Sequence, residues 1–217
     1  MKTFVNILDH DTDALERLLE RCAASKARYR RRLPDLDLTG RVLATFFEKP
    51  STRTRFGFEA AAASMGGYVI TSEMIGGARL GEREPVKDVA RVAGRYCDLI
   101  AVRTFAHETM EGFAQWAGKP VVNLLSDYSH PTQAMADMIT IREHLGTEKG
   151  KTLVFVGDGN NVARSLAAAC GRLGMRMRLA CPEGFGLDAA FRERLEAECP
   201  DFDFAETHDP AAAAAEA

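Results

Sequence analysis

The chain has 217 residues, of which 46% are hydrophobic, which is enough to fill the cores of two domains without disulfide or metal support. Its formal net charge of -3 supplies no general attraction to nucleic acid or to anionic membranes, so any anion site must come from a local arrangement of residues. No segment approaches the ~18 apolar residues of a membrane span, and the first residues lack the apolar region of a signal peptide, so we expect a protein that is neither inserted nor exported.

Short β-rich segments alternate with longer amphipathic or alanine-rich segments along the chain. Strands are predicted at residues 41–47, 68–71, 98–103, 120–125, 151–157, 175–181 and 202–206. Helices are predicted at residues 12–30, 51–65, 86–96, 107–117, 131–145, 161–173 and 187–199. This alternation is typical of the α/β class and predicts parallel sheets that helices cover on both faces.

A domain boundary is predicted near "GTEKGK", where a long helix ends at Gly146 and a charged linker precedes a new β-α-β series. We therefore predict two domains, residues 1–146 and 147–217, each a parallel sheet flanked by helices. The second contains only three predicted strands and is expected to be incomplete. The last segment is either a low-complexity tail or, as we prefer, a helix that begins at Asp209 and Pro210.

Four polar segments follow predicted strands. They are "EKPSTRTR", "RTFAHE", "SDYSHPTQ" and "GDGNN". Ligands of open parallel sheets bind beyond the carboxyl ends of the strands, so these segments are the first candidates for a site. If the two domains lie side by side, all four are expected to open onto one face.

The segment after the first strand concentrates hydrogen-bond donors at the start of a helix. Pro50 disfavours helix at the residue before it, and Ser51 is then a good N-cap, so the next amides point towards whatever precedes the helix. An anion such as phosphate suits that position. The donors are the hydroxyl and guanidinium groups of Ser51, Thr52, Arg53, Thr54 and Arg55. The alternative is an ordinary capped helix with surface arginines.

Three further side chains follow strands. Arg103 ends an apolar strand and is expected to emerge at the edge of the sheet. His130 precedes Pro131, which places it at or near a helix cap, with Gln133 one turn inside. A histidine and a primary amide at this spacing can hold a carbonyl oxygen and an amino group together. On local grounds, a structural role remained an equal alternative for each of these residues.

The "GDGNN" segment resembles a dinucleotide fingerprint only weakly, because Val162 stands where the third glycine belongs. A tight turn in which Asn160 or Asn161 caps the next helix is the preferred interpretation. The basic run at residues 26–32 falls in the last turns of a helix and is interpreted as a solvated face rather than a nucleic-acid site. The five cysteines are odd in number, widely spaced and without a C-x-x-C pair, which argues against disulfides or zinc and predicts a reducing, cytoplasmic location.

The segments "FEKPSTRTR", "RTFAHET", "SDYSHPTQAMADMITI" and "FVGDGNNVARS", in this order and spacing, resemble the aspartate and ornithine carbamoyltransferases, and more closely the ornithine branch. The resemblance runs from the first helix to the last residue. One position points the other way, because the threonine of H-P-T-Q, Thr132, is more usual in the aspartate branch.

The resemblance implies transfer of a carbamoyl group from carbamoyl phosphate to L-ornithine, giving citrulline and phosphate in arginine biosynthesis, with no metal or organic cofactor. It assigns phosphate binding to Ser51, Thr52, Arg53 and Thr54. It assigns contacts with the carbamoyl group to Arg103, His130 and Gln133, and the α-amino acid end of ornithine to Asn161. Arg53, Arg103, His130 and Gln133 would carry catalysis. Transfer to aspartate or another amine, and a non-catalytic carbamoyl phosphate-binding homologue, are the alternatives.

The resemblance also implies a homotrimer in which a loop from the neighbouring subunit reaches the site. That loop corresponds to residues 76–84, where Arg79 replaces the glutamine that is usual in the family. An arginine can contact phosphate, but it is larger and charged. The family's second domain continues with further ornithine-binding motifs that these 217 residues do not contain, so a truncated chain with little or no turnover of its own is expected.

Overall fold

The computed structural model describes residues 3–73 and 79–217. The chain forms two compact units, one of Met1–Val5 and Ala23–Asp127 and the other of Asn6–Cys22 and Tyr128–Ala217. These units are defined by contacts between residues. The domain boundary predicted at Gly146 rests on the composition of the linker and stays a prediction.

The described residues contain the predicted alternation of strands and helices. The strands are β1 (Val42–Phe47), β2 (Tyr68–Glu73), β3 (Leu99–Arg103), β4 (Val121–Leu125), β5 (Thr152–Val156), β6 (Arg176–Ala180) and β7 (Phe204–Thr207). The helices are α1 (Thr12–Arg30), α2 (Thr52–Ser64), α3 (Val86–Tyr96), α4 (His107–Trp116), α5 (Pro131–Leu145), α6 (Asn161–Arg172), α7 (Ala189–Glu198) and α8 (Pro210–Ala214), with a short 3-10 helix at Ile7–Asp9. Each predicted element is present, with small shifts at its ends.

The first unit contains a parallel sheet of four strands in the order β2-β1-β3-β4. Side chains alternate between the two faces of each strand, and both faces are apolar because helices cover both. On one face, residues of β1 and β3 pack against α3 and α4; the buried members include Ala44, Phe46, Ile100, Val102, Ala90, Ala93, Met110 and Phe113. On the other face the buried residues include Leu43, Phe47, Leu99, Ala101 and Ala62 of α2. The predicted α/β class is confirmed.

The second unit contains a parallel sheet in the order β5-β6-β7. Helix α6 is buried along much of its length, including Ala163, Leu166 and Cys170. Asp209 accepts hydrogen bonds from the amides of Ala211 and Ala212 and so caps α8. The preferred prediction of a helix starting at Asp209 and Pro210 is therefore confirmed.

All five cysteines are free thiols, and four of them are buried. Within the described ranges, no helix combines the length and the apolar character needed to traverse a lipid bilayer.

Candidate functional site

The turn from β1 to α2 has the predicted capping geometry. Ser51 occupies the N-cap in an extended conformation (φ -157°, ψ 105°), and the helix begins at Thr52. The Ser51 hydroxyl makes no capping hydrogen bond to the first turn. The first amides of a helix have no partner within the helix, so these amides and the hydroxyl are oriented to receive an anion.

The two arginines of this turn differ in their surroundings. Arg53 is exposed, and in the described part of the chain no residue pairs with its guanidinium group. Arg55 Nε lies 2.9 Å from Glu59 Oε1 in an ion pair along α2. Glu59 also accepts a 2.6 Å hydrogen bond from the Thr71 hydroxyl, and this bond, followed by the contact with Arg55, holds the pKa of Glu59 below its usual value against the opposing effect of burial. Arg53 is therefore the better candidate for an anion ligand.

Arg103 lies next to this turn because of the strand register. It pairs with Phe47 across β1 and β3, and its carbonyl oxygen accepts a 2.9 Å hydrogen bond from the amide of Glu48. Strand alternation puts Arg103 on the same face as Leu99 and Ala101, the face that α2 covers.

One nitrogen of the Arg103 guanidinium group, Nε, is buried without a hydrogen-bond partner in the described part of the chain. Burial also lowers the pKa of Arg103. An unsatisfied buried donor costs about 1–3 kcal/mol, and an anionic ligand that accepted a hydrogen bond from it would remove that cost.

Glu48 connects the loops around this position, although it was not among the predicted site residues. Its carboxylate accepts hydrogen bonds from the amide of Leu80 (2.6 Å), the amide of Phe105 (2.9 Å) and the hydroxyl of Thr104. The segment after β2 and the segment after β3 are thereby tied to the end of β1. An acidic residue directly after a buried strand was the only signal for this role in the sequence.

Arg79 lies close to this network. It is exposed, its amide donates a 2.9 Å hydrogen bond to Glu82, and its guanidinium carbon is 5.2 Å from the centre of the Phe105 ring. Lys49 Nζ lies 5.7 Å from the same ring centre. Two cations at such distances from one aromatic ring are attracted by its negative face. Residues 76–78 of the predicted intersubunit loop lie outside the described residues.

In the second unit, His130 and Asn161 are linked through Ser165. His130 is the N-cap of α5 and Pro131 its first residue, as predicted. The amide of His130 donates a 2.8 Å hydrogen bond to the hydroxyl of Ser165, which donates a 2.9 Å hydrogen bond to the carbonyl oxygen of Asn161. Ser165 is 3% exposed. Ser165 was not among the predicted site residues, although it ends the motif "GDGNNVARS".

The two asparagines of the turn before α6 have different roles. The side-chain oxygen of Asn160 accepts hydrogen bonds from the amides of Val162 (2.9 Å) and Ala163 (3.1 Å), so Asn160 is the cap. The side chain of Asn161 therefore does not cap the helix. A Cβ atom at Gly159 would lie 2.3 Å from the carbonyl oxygen of Gly186, so this glycine permits a close backbone approach. The preferred interpretation of a capped turn is confirmed.

Gln133 lies in the first turn of α5 and is exposed. Its Nε2 donates a 2.9 Å hydrogen bond to Asp137 Oδ1, one turn further along the helix. In the two described ranges, no cluster of three or more His, Cys, Asp or Glu side chains is arranged to hold a metal ion.

Two family profiles match most of the chain. The one described as "Aspartate/ornithine carbamoyltransferase, carbamoyl-P binding domain" matches residues 2–143, and the one described as "Aspartate/ornithine carbamoyltransferase, Asp/Orn binding domain" matches residues 149–217. The chain belongs to the aspartate/ornithine carbamoyltransferase family.

Relatives within this carbamoyltransferase family are similar along most of the chain. It is 44% identical over 185 residues to an ornithine carbamoyltransferase of Prochlorococcus marinus (strain MIT 9313), covering 85% of this chain and 56% of that protein. It is 48% identical over 158 residues to that of Gloeobacter violaceus, covering 73% of this chain and 50% of the relative. The structure of ornithine carbamoyltransferase from Pyrococcus furiosus superposes with a TM-score of 0.93 at 39% identity, covering 98% of this chain and 68% of that one. The chain thus spans about half the length of these curated relatives.

The candidate residues divide between the two carbamoyltransferase profiles. Residues 51–54, Arg103, His130 and Gln133 lie in the range that matches the carbamoyl phosphate-binding profile. Asn161 lies in the range that matches the aspartate/ornithine-binding profile.

Proposed function

We propose that the protein transfers the carbamoyl group of carbamoyl phosphate to the δ-amine of L-ornithine, forming L-citrulline and phosphate. Membership of the carbamoyltransferase family supports the reaction, and the relatives reported above are named ornithine carbamoyltransferase, which supports the acceptor. The observation that carries the proposal is the buried Nε of Arg103, which has no partner among residues 3–73 and 79–217 and lies beside the strand end that leads into α2.

The phosphate group is assigned to the start of α2. The hydroxyls of Ser51, Thr52 and Thr54 donate hydrogen bonds to the phosphate oxygens, and the helix dipole favours the negative charge. The positively charged guanidinium group of Arg53 donates two parallel hydrogen bonds to the phosphate. The exposure of Arg53 and the uncapped state of the Ser51 hydroxyl support this assignment. Arg79 is assigned an additional phosphate contact.

The carbamoyl group is assigned to Arg103, His130 and Gln133. The neutral δ-amine attacks the carbamoyl carbon, a C–N bond forms, and the C–O bond to phosphate breaks. The nitrogen then loses one proton, which the departing phosphate takes up. Negative charge grows on the carbonyl oxygen and on the departing phosphate, and prepositioned donors lower the barrier. Each such donor contributes roughly 3 kcal/mol, or about a hundredfold in rate. No side chain needs to act as a covalent nucleophile.

The acceptor is assigned to Asn161, which holds the α-amino acid end of ornithine. The capping role of Asn160 supports this assignment, because Asn160 and not Asn161 is the N-cap of α6. We further propose a cytoplasmic homotrimer that acts in arginine biosynthesis without a metal or organic cofactor. Five free cysteines support the reducing location.

The proposal is tested by calorimetric titration of the 217-residue chain with carbamoyl phosphate, followed by ornithine or aspartate. The chain spans about half the length of its curated relatives, so we expect little turnover. Binding is therefore the decisive measurement. We expect saturable binding of carbamoyl phosphate and a further response to ornithine. A response to aspartate but not to ornithine would indicate that aspartate is the acceptor. Failure to bind carbamoyl phosphate would overturn the proposed function.

A further inference from the structure

The side-chain amide of Gln133 is hydrogen-bonded to a carboxylate on the same helix, that of Asp137. Asp137 Oδ1 accepts a 2.9 Å hydrogen bond from Gln133 Nε2. The two residues are four apart on α5, so they lie on the same face of the helix. Their separation along the helix is therefore fixed by backbone geometry and does not depend on a mobile loop.

The chemistry of the two groups allows one amide orientation. A carboxylate only accepts hydrogen bonds, whereas an amide has a donating nitrogen and an accepting oxygen. Gln133 must therefore direct Nε2 towards Asp137 and Oε1 away from it. Rotating the amide by half a turn would bring two acceptor oxygens together. Asp137 thus fixes an orientation that the shape of the glutamine side chain alone leaves open.

The outward-facing atom is an acceptor. Gln133 is exposed, and no donor in the described ranges reaches its Oε1. Asp137 is half-buried, and burial raises its pKa while the hydrogen bond from Gln133 lowers it. The carboxylate is therefore best satisfied when Gln133 keeps this orientation.

We propose that Asp137 is a positioning residue which fixes the amide of Gln133 so that the site selects a carbamoyl group over a methyl-bearing acyl group. This inference rests on the proposed function, in which Gln133 contacts the carbamoyl group. The amino group of carbamoyl phosphate donates to Oε1, whereas acetyl phosphate has a methyl group of similar size at that position and donates nothing. Binding of acetyl phosphate leaves Oε1 without a partner, and that loss is the basis of the selection.

The test compares the affinities for carbamoyl phosphate, acetyl phosphate and inorganic phosphate by calorimetry. We expect the unmodified chain to bind carbamoyl phosphate about tenfold more tightly than acetyl phosphate. Asp137→Leu removes the acceptor, lets the amide rotate and brings this ratio close to one. Its affinity for inorganic phosphate stays unchanged, because phosphate does not contact Gln133.

Four further variants separate positioning from a general structural effect. Asp137→Asn has the same shape but pairs with either orientation of Gln133, so the ratio falls to an intermediate value. Gln133→Met loses the selection, and adding Asp137→Leu to it has no further effect, since the carboxylate acts only through the amide. Thr140→Ala is the control. It removes an exposed hydroxyl of the same helix that donates a hydrogen bond to the carbonyl oxygen of Ala136, and it leaves the ratio of the two affinities unchanged.

The outcomes are distinguishable from failure of the proposed function. An unmodified chain that binds no carbamoyl phosphate would overturn the proposed function itself. Tight binding of carbamoyl phosphate with an unchanged ratio in Asp137→Asn and Asp137→Leu would overturn only the role of Asp137. If Asp137→Leu does not fold, the isosteric Asp137→Asn decides alone, and an unchanged ratio in that variant is sufficient to reject the inference.

Discussion

Arg103 is the register partner of Phe47, and its carbonyl oxygen accepts a hydrogen bond from the next residue of that strand, Glu48. The pairing joins the end of β3 to the segment that leads into α2. As a result, a buried donor that no described residue satisfies and the N-terminus of a helix occur at neighbouring strand ends in the same sheet. This relationship underlies the first two predictions.

Arg53→Ala is expected to weaken binding of carbamoyl phosphate by about a hundredfold, because a charged bidentate contact contributes roughly 3 kcal/mol. Folding should be unaffected, since Arg53 is exposed. Calorimetry and circular dichroism measure the two effects. Arg41→Ala is the matched control: it is an exposed arginine that precedes β1, at the opposite end of that strand, and pairs with Asp98. Equal losses of affinity for carbamoyl phosphate in the two variants would argue against a specific contact between Arg53 and the phosphate.

Arg103→Met is expected to stabilise the free protein by about 1 kcal/mol while removing affinity for carbamoyl phosphate. The substitution removes a buried donor that has no partner within the described ranges, and it keeps an apolar side chain of similar length. Urea unfolding without ligand measures the stability, and calorimetry measures binding. A lower free energy of unfolding in the variant would show that the guanidinium group is satisfied in the free protein.

Glu59→Gln is expected to reduce the pH dependence of stability below about pH 5. The hydrogen bond from Thr71 and then the ion pair with Arg55 hold the folded-state pKa of Glu59 below its ordinary value of 4.5, despite the opposing effect of burial. Its contribution is therefore present above pH 4.5 and is lost as the pH falls through the folded-state pKa. Thermal unfolding from pH 6 to pH 3 provides the measurement. Identical pH profiles for the two proteins would contradict this assignment.

Ser165→Ala is expected to lower the free energy of unfolding by about 1–3 kcal/mol. The substitution removes a buried hydroxyl that accepts a hydrogen bond from the amide of His130 and donates one to the carbonyl oxygen of Asn161. Ser64→Ala is the control, because the Ser64 hydroxyl bonds to the carbonyl oxygen of Ala61 at an exposed site and its loss should cost much less. Similar destabilisation by both changes in urea titrations would remove the special role of Ser165.

The local features of the site were predictable from the sequence. Ser51 after Pro50 predicted the cap of α2, and His130 before Pro131 predicted the start of α5. Both signals depend on the backbone preferences of adjacent residues, which act whatever the rest of the chain does. The alternation of strands and helices predicted the parallel sheets for a similar reason, since the periodicity of apolar residues reflects the face that each element buries.

The sequence by itself thus determined which residues begin and end the helices and strands, and which polar segments follow the strands. The tertiary structure decided how those segments are used. Thr71 of β2 donates a hydrogen bond to Glu59, which also forms an ion pair with Arg55. Glu48 accepts hydrogen bonds from residues 80, 104 and 105. Ser165 is hydrogen-bonded to both His130 and Asn161. Apart from the two contacts within a helix, Arg55 with Glu59 and Ser165 with Asn161, these contacts connect residues at least 12 positions apart in the chain. They depend on strand register and helix packing, which no local sequence pattern specifies.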